Sequence, residues 1–170
     1  ATCKVTVKVH VTKVTLSKKT ATMGEKGSLT LKATVSPSNA NDKKVTWKSS
    51  KTSLATVSSR GVVKAKKAGK VKITAKADGK SATCTITIKK APTKITVKKP
   101  SVTIKRKKTY KIKYTLKPSG AMNKVTYSSN KKSVATVSKS GVIKGVKKGT
   151  AVITVKTYNK KTAKIKVRVK

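Results

Sequence analysis

Residues able to do acid–base or metal chemistry are few in this sequence and stand far apart. His10 is the only histidine, and Glu25, Asp42 and Asp78 are the only acids among the 170 residues. Acid–base catalysis requires a partner group within hydrogen-bond reach, and a calcium ion takes roughly six to eight oxygen ligands. Because the acids lie in separate predicted turns and His10 lies in a connector, the sequence predicts no catalytic, cofactor or metal site.

One aromatic side chain is a candidate for ligand contact. Tyr158 occupies a predicted hairpin tip beside Asn159, Lys160 and Lys161. An exposed aromatic ring with polar neighbours can stack on a sugar or anchor a protein partner. We therefore take Tyr158, Lys160 and Lys161 as the possible ligand contact, and the alternative is an incidental turn residue.

The charge of the chain points to anionic partners. Lysine and arginine number 45 against three acids, which gives a formal net charge of +42. Such a chain attracts polyanions, so anionic polysaccharide, a wall polymer and a host surface glycan or protein are candidate partners. Nucleic-acid binding is expected to be nonspecific and salt-sensitive, because aromatic residues for base stacking make up only 3% of the chain. The alternative is a solubilising surface that protects sheet edges from aggregation.

The sequence is built from two copies of one unit. The stretch from Val45 to Lys76 returns from Val125 to Lys156 with 17 identities in 32 positions. The opening ATCKVTVKV also matches ATCTITIKK, which starts at Ala82. A fixed period of this size indicates a tandem array. We expect three segments: the last strand of a preceding repeat at 1–9, a first domain at 10–90 and a second at 91–170.

Apolar and polar residues alternate throughout both copies, and Val, Ile and Thr are abundant, which predicts β-strands and no helix. The strands expected up to residue 89 are 3–9, 13–17, 21–23, 28–36, 44–49, 54–57, 62–66, 70–77 and 81–89. Those expected in the second copy are 94–98, 102–104, 109–117, 124–128, 134–137, 142–146, 150–157 and 162–169. One apolar and one wet face per strand favours antiparallel sheets packed as a sandwich.

The predicted fold class is all-β, with tandem immunoglobulin-like β-sandwiches arranged as beads on a rod. The connector from Lys89 to Pro92 contains no Gly or Ser run. Proline restricts its own backbone and that of the residue before it. We therefore expect a short, stiff joint between the two units.

Two cysteines and two large aromatic residues hold matching positions in successive copies. Cys3 and Cys84 hold the same position in successive copies, so we expect no disulfide between them. Cys84 should be a core residue, as Ile165 is in the second unit. Trp47 and its counterpart Tyr127 lie on alternating apolar strands, so both are predicted to pack into the cores at equivalent places.

The repeated positions resemble the bacterial immunoglobulin-like domain, group 2, found in intimin- and invasin-type adhesins and other surface proteins. The positions that carry the resemblance are Trp47, Ser49, Ala55, Val57, Gly61, Val63, Ala65, Gly69 and Ile73. In the second copy Tyr127 stands for Trp47 and Gly145 for Ala65. The resemblance implies a secreted or cell-surface location, a spacer or adhesive role and no shared catalytic site.

The expected function is therefore a non-catalytic structural or adhesive repeat of a bacterial cell-surface or secreted protein, acting as a stiff spacer. Two alternatives stay open. One is a polyanion- or glycan-binding module that uses the lysine-rich surface. The other is an accessory segment of a larger secreted enzyme. No stretch of the sequence is long and apolar enough to predict a membrane span.

Overall fold

The computed structural model describes residues 2–3 and 7–170, and within those residues it contains β-strands and no helix. The chain divides into two compact units, residues 1–90 and 91–170. The all-β prediction is confirmed.

Among the described residues, each unit contains nine strands in the same order. The strands of the first unit are β1 (Lys13–Leu16), β2 (Thr20–Gly24), β3 (Ser28–Thr30), β4 (Ala33–Ser36), β5 (Thr46–Ser49), β6 (Ala55–Val57), β7 (Val62–Ala65), β8 (Gly69–Ala77) and β9 (Lys80–Lys89). Those of the second are β10 (Lys94–Val97), β11 (Ser101–Ile104), β12 (Thr109–Lys111), β13 (Tyr114–Lys117), β14 (Val125–Ser129), β15 (Ala135–Val137), β16 (Val142–Gly145), β17 (Gly149–Thr157) and β18 (Thr162–Val169).

The strands of each unit form three sheets with the same topology. The first unit has a four-stranded sheet in the order β2-β9-β8-β5, a three-stranded sheet β3-β7-β6 and a two-stranded sheet β1-β4. The second has β11-β18-β17-β14, β12-β16-β15 and β10-β13. Each core lies between the larger sheets, because inward residues of both contribute to one apolar cluster.

The inward positions carry aliphatic side chains that recur between the units. In the first core Val63, Ile73 and Ile86 are fully buried, and the second core places Ile143, Ile153 and Val167 at the same positions. Burying such a side chain contributes about 1.5–3 kcal/mol. The alternation read from the sequence therefore corresponds to the burial of the strands.

Two strands expected to be continuous are each divided in the structure. The predicted strand 28–36 separates into β3 and β4, and the predicted strand 109–117 separates into β12 and β13. Leu31 N donates to Gly61 O at 2.9 Å, whereas Lys32 O accepts from Ser17 N at 2.9 Å. The chain thus exchanges one sheet for another between neighbouring residues, while its apolar side chains continue to alternate.

The sheets are not wholly antiparallel as predicted. β2 runs parallel to β9, and β11 runs parallel to β18. The first strand of each unit, β1 or β10, belongs to the two-stranded sheet. The second strand, β2 or β11, lies at the edge of the four-stranded sheet, beside the last strand of the same unit. The parallel pair results from this change of sheet, which links the two ends of the unit's sequence.

The strand predicted at 3–9 is not seen in the residues that are described. Residues 4–6 lie outside them, and Cys3 and residues 7–9 have no strand geometry. Val9 is held instead by the Asn41 side chain and backbone, with Val9 N donating to Asn41 Oδ1 at 2.5 Å. A ladder needs a second strand alongside, and no described strand pairs with this segment.

The expectation for the cysteines is confirmed. Cys3 and Cys84 are both free, with Cys3 exposed and Cys84 buried in the core of the first unit. Burial raises the pKa of the Cys84 thiol, because an ionised sulfur is poorly solvated there. Cys84 therefore acts as a small apolar side chain.

Trp47 and Tyr127 hold equivalent places, half-buried against their cores. Each ring lies over a glycine in the left-handed region, Gly61 at φ 73° and Gly141 at φ 78°. A Cβ added at Gly61 would come within 2.7 Å of Trp47 Cζ2, and one at Gly141 within 2.6 Å of Tyr127 Cζ. Burial, with a smaller effect from Tyr114, raises the pKa of Tyr127 to about 12.

Candidate functional site

The predicted contact residues lie in the loop between β17 and β18. Lys160 and Lys161 are exposed, but Tyr158 is half-buried, and its backbone N donates to Lys124 O at 3.0 Å. Lys160 has a positive φ of 69°. The structure brings the three residues together in one turn and exposes the two cations more than the aromatic ring.

The corresponding turn of the first unit, between β8 and β9, is shorter than this loop. There Asp78 and Gly79, both with positive φ, join β8 and β9 in a two-residue hairpin. Counting back from β18 at the offset of 81 matches Asp78 to Asn159 and Gly79 to Lys160, and Gly79 and Lys160 share a positive φ. Tyr158 is therefore the additional residue of the second unit.

The turn of the first unit fastens the segment that leads into that unit. Asp78 Oδ2 accepts hydrogen bonds from Val11 N and from His10 Nδ1, each at 2.9 Å. Sequence reasoning gave His10 no partner, and the structure corrects this, since residues 10 and 78 are brought together only by the fold. The Val11 N–H, followed by His10, holds the pKa of the Asp78 carboxyl below its usual value.

The second unit makes the same connection with the hydrogen-bond donor and acceptor exchanged. Asn159 corresponds to Asp78 and Pro92 to Val11. Proline has no N–H, so a carboxylate here would find no backbone donor at residue 92. Instead Asn159 Nδ2 donates to Pro92 O at 2.8 Å, while its Oδ1 accepts from the buried Thr157 hydroxyl at 2.7 Å. The amide replaces the carboxylate because the proline replaces the donor.

We expect Asn159→Asp to destabilise the second unit by about 1–3 kcal/mol, because a partly buried hydrogen bond is lost and a carboxylate faces the Pro92 carbonyl. All four tyrosines lie in this unit and the sole tryptophan lies in the first. Near-ultraviolet circular dichroism of tyrosine during urea unfolding therefore reports the affected unit, and tryptophan fluorescence reports the other.

The double variant Pro92→Val with Asn159→Asp is the control, since it installs the pair that the first unit uses. It is expected to recover stability relative to Asn159→Asp alone, because a valine in place of Pro92 has a backbone N–H that can donate to the carboxylate. Equal stability of the single and double variants would contradict this pairing rule.

The remaining acids also serve the backbone. Glu25 Oε1 accepts from Ala68 N, and Asp42 Oδ1 accepts from Lys44 N, each at 2.9 Å. Across residues 2–3 and 7–170, no three His, Cys, Asp or Glu side chains come together in a way that can hold a metal ion. In the same residues no helix has the length and apolarity to span a membrane.

The outward faces of the four-stranded sheets are basic and rich in hydroxyl groups. Cations on the two central strands of each sheet lie opposite neutral residues of the neighbouring strand. The pairs in the first unit are Lys70 with Thr87, Lys72 with Thr85 and Lys76 with Ser81. Those in the second unit are Arg168 with Thr150, Lys166 with Val152 and Lys164 with Thr154. Like charges placed directly opposite destabilise a sheet. The structure thus spaces the cations in a way that strand periodicity alone did not reveal.

A shallow depression lies on this face of the second unit. It has a volume of about 460 Å³ and is lined by Ser101, Thr103, Thr150, Lys166 and Arg168. The second unit, residues 91–170, contains 24 lysines and arginines and no Asp or Glu. Its cations therefore have no acidic side chain of their own unit to pair with.

The chain matches the model of the bacterial Ig-like domain, group 2, twice, over residues 10–86 and 91–167. Each match covers most of a different structural unit. The chain belongs to this family, and the resemblance inferred from the repeated positions is confirmed. The protein is a tandem pair of bacterial immunoglobulin-like repeats.

Curated relatives are longer proteins that contain a similar stretch. An uncharacterized protein of Clostridium acetobutylicum is 36% identical over 150 residues, which is 86% of this chain and 16% of that protein. An Ig-like virion protein of Serratia phage KSP90 is 47% identical over 83 residues, 47% of this chain and 32% of that protein. A kappa-carrageenase of Pseudoalteromonas carrageenovora is 60% identical over 47 residues, 27% of this chain and 12% of that protein.

Solved structures with detectable similarity are distant in sequence. The S-layer protein SbsC is 23% identical with a TM-score of 0.43, and the match covers 96% of this chain and 28% of that one. A C-terminal fragment of intimin, solved with the intimin-binding domain of its translocated receptor, is 16% identical with a TM-score of 0.41; the match covers 94% and 64%.

Proposed function

We propose that this chain is a non-catalytic structural repeat segment of a bacterial cell-surface or secreted protein, in which it acts as a stiff spacer that can also serve adhesion. Membership of the bacterial Ig-like family supports the structural role. The chain spans only a minor part of its curated relatives, in keeping with one segment of a larger protein. We further propose domain limits at 10–90 and 91–170, with 1–9 as the segment that corresponds in sequence to the last strand of a preceding repeat.

The observation that carries the spacer role is the anchoring of the connector. β9 ends at Lys89, and Pro92 is already held to the second unit by Asn159. Pro92 is also fully buried. Only Lys90 and Ala91 separate these two fixed points, and Ala91 precedes a proline, which biases it towards an extended backbone. A connector this short has few conformations to explore.

Small-angle X-ray scattering tests this stiffness. A short Gly-Ser insertion between Lys90 and Ala91 is expected to broaden the distribution of interatomic distances relative to the unmodified chain. The same insertion between Ser119 and Gly120 adds equal mass in an exposed loop of the second unit and serves as the control. Distributions of equal width for the unmodified chain and the connector variant would overturn the spacer proposal.

An accessory role in a larger secreted enzyme is an alternative arrangement for the same module. The similarity to a stretch of a kappa-carrageenase supports it, because that relative is named as an enzyme. The module itself would supply no catalytic group. Reading the complete gene distinguishes the alternatives, since an enzyme domain in the same frame would favour the accessory role.

A second candidate function, binding of an anionic polysaccharide or wall polymer, is favoured by the second unit's 24 cations and lack of any acid. The turn residues Tyr158, Lys160 and Lys161 are one proposed contact of this candidate. Retention on immobilised heparin at physiological salt tests it against a charge-matched unfolded peptide. Release of both at the same salt concentration would reject a folded binding surface.

A further inference from the structure

We infer that the outward face of β11, β18 and β17 is a binding site for a linear anionic polysaccharide, with Arg168 and Lys166 as its charged contacts. The inference rests on the second candidate function above and gives it a location. The lining residues Ser101, Thr103, Thr150, Lys166 and Arg168 are all exposed.

The strand register arranges these side chains around the two cations. Arg168 lies opposite Thr150 on β17 and opposite Thr103 on β11. Neighbouring strands are about 4.8 Å apart, so a threonine stands on each side of Arg168. Lys166 is the next outward residue on β18 and lies opposite Ser101 of β11.

This combination suits a sulfated or carboxylated sugar. A guanidinium presents paired N–H donors that match the oxygens of a sulfate or carboxylate. Serine and threonine hydroxyls both donate and accept, as the hydroxyl groups of a sugar require. The site therefore offers a charged contact at Arg168 and neutral polar contacts on the two adjacent strands.

The cations also follow a line that fits a polymer. Lys164, Lys166 and Arg168 are successive outward residues of β18, about 6.8 Å apart along the strand. A chain with repeated anionic groups can lie along β18 and contact them in turn. No Asp or Glu side chain of the second unit competes for them, since residues 91–170 contain none.

The face favours a polysaccharide over a nucleic acid. Proteins that hold single-stranded nucleic acid stack its bases on aromatic side chains. None of the residues lining this depression is aromatic, and three of the five carry hydroxyls. Nucleic acid should therefore gain only the charge contribution here.

The first unit provides an internal comparison at the same five positions. There it carries Thr20, Thr22, Lys70, Thr85 and Thr87, with a single cation among them. Threonine at the two β18 positions is therefore compatible with the fold. The inference assigns the stronger site to the second unit.

The test uses the double variant Lys166→Thr with Arg168→Thr in the full chain. Its matched control is Lys132→Thr with Lys139→Ser, which removes two charges from exposed loops on either side of β15 and also installs residues of the first unit. We expect heparin affinity, measured by isothermal titration at physiological salt, to fall about tenfold in the first variant, as for two lost charge-assisted contacts. The control should fall by about twofold or less. Tyrosine circular dichroism checks that both variants fold.

Each other outcome has a definite meaning. Equal losses in the two variants would overturn this site while leaving general polyanion binding intact. No heparin binding by the unmodified chain would reject the second candidate function itself. Binding of single-stranded DNA as tight as that of heparin, with the same sensitivity to Lys166→Thr and Arg168→Thr, would overturn the assignment to a polysaccharide. Uncharged dextran is expected not to bind.

Discussion

Gly61→Ala is expected to destabilise the first unit by about 3 kcal/mol or more. A left-handed backbone costs a non-glycine residue about 1–2 kcal/mol, and forcing an extra methyl into a packed site costs about 1–3 kcal/mol. The added Cβ would meet Leu31 O as well as the Trp47 ring. Tryptophan fluorescence during urea unfolding measures this unit alone, since Trp47 is the only tryptophan.

The matched control is Gly79→Ala, which has nearly the same φ, 77°, and no atom within 4 Å of the added Cβ. It should show only the backbone cost of about 1–2 kcal/mol. The same pair exists in the second unit, where Gly141→Ala meets Tyr127 and Gly120→Ala meets nothing. Equal losses for the crowded and open glycines would show that ring packing adds nothing to the backbone requirement.

Sodium chloride is expected to raise the melting temperature of both units. Three acids cannot neutralise 45 cations, so salt screens mainly repulsion. The Debye length falls from about 30 Å at 0.01 M to 10 Å at 0.1 M and 3 Å at 1 M. For a domain of this size, each kcal/mol of relieved repulsion raises the melting temperature by about 4–8 °C.

The structure adds a difference between the units to this prediction. The second unit has 24 cations and no acid, whereas the first has 21 cations and three acids. It also contains a like-charge pair, Lys94 opposite Lys117. Tyrosine circular dichroism should therefore report a larger rise than tryptophan fluorescence between about 10 and 500 mM sodium chloride.

A flat or falling melting temperature would mean that the pairing of cations with threonines has already removed most of the repulsion. Sodium chloride is the appropriate salt, because sulfate also strengthens the burial of apolar groups. Lys94→Thr tests the local part of the effect. It should raise stability at low salt and have a smaller influence at high salt, since it removes the repulsion across the β10–β13 ladder.

Some features missed by sequence reasoning depend on contacts between distant residues. Strand 28–36 reads as continuous because Leu29, Leu31 and Ala33 alternate without interruption. Its division depends on two hydrogen bonds of neighbouring residues: Leu31 N donates to Gly61 O, next to β7, and Lys32 O accepts from Ser17 N, next to β1. Side-chain alternation records which face is buried and carries no information about the partner strand.

The proposed contact sites show the same limit. Tyr158, Lys160 and Lys161 were chosen from sequence because they are close together in a predicted turn. The group at Arg168, Thr103 and Thr150 could not be chosen that way, since its members come from three strands. The hydrogen bonds of His10 and Val11 to Asp78 likewise join residues that are far apart along the chain.

The sequence by itself determined the two-copy organisation, the all-β class, the residues that face each core and the free state of both cysteines. These properties follow from the repeat and from a period of two, which act within one strand or by comparison of one copy with the other. Only the tertiary structure decided which strands pair, where the chain changes sheets and which polar groups meet. Those outcomes depend on hydrogen bonds that close long loops, and local residue preference does not specify them.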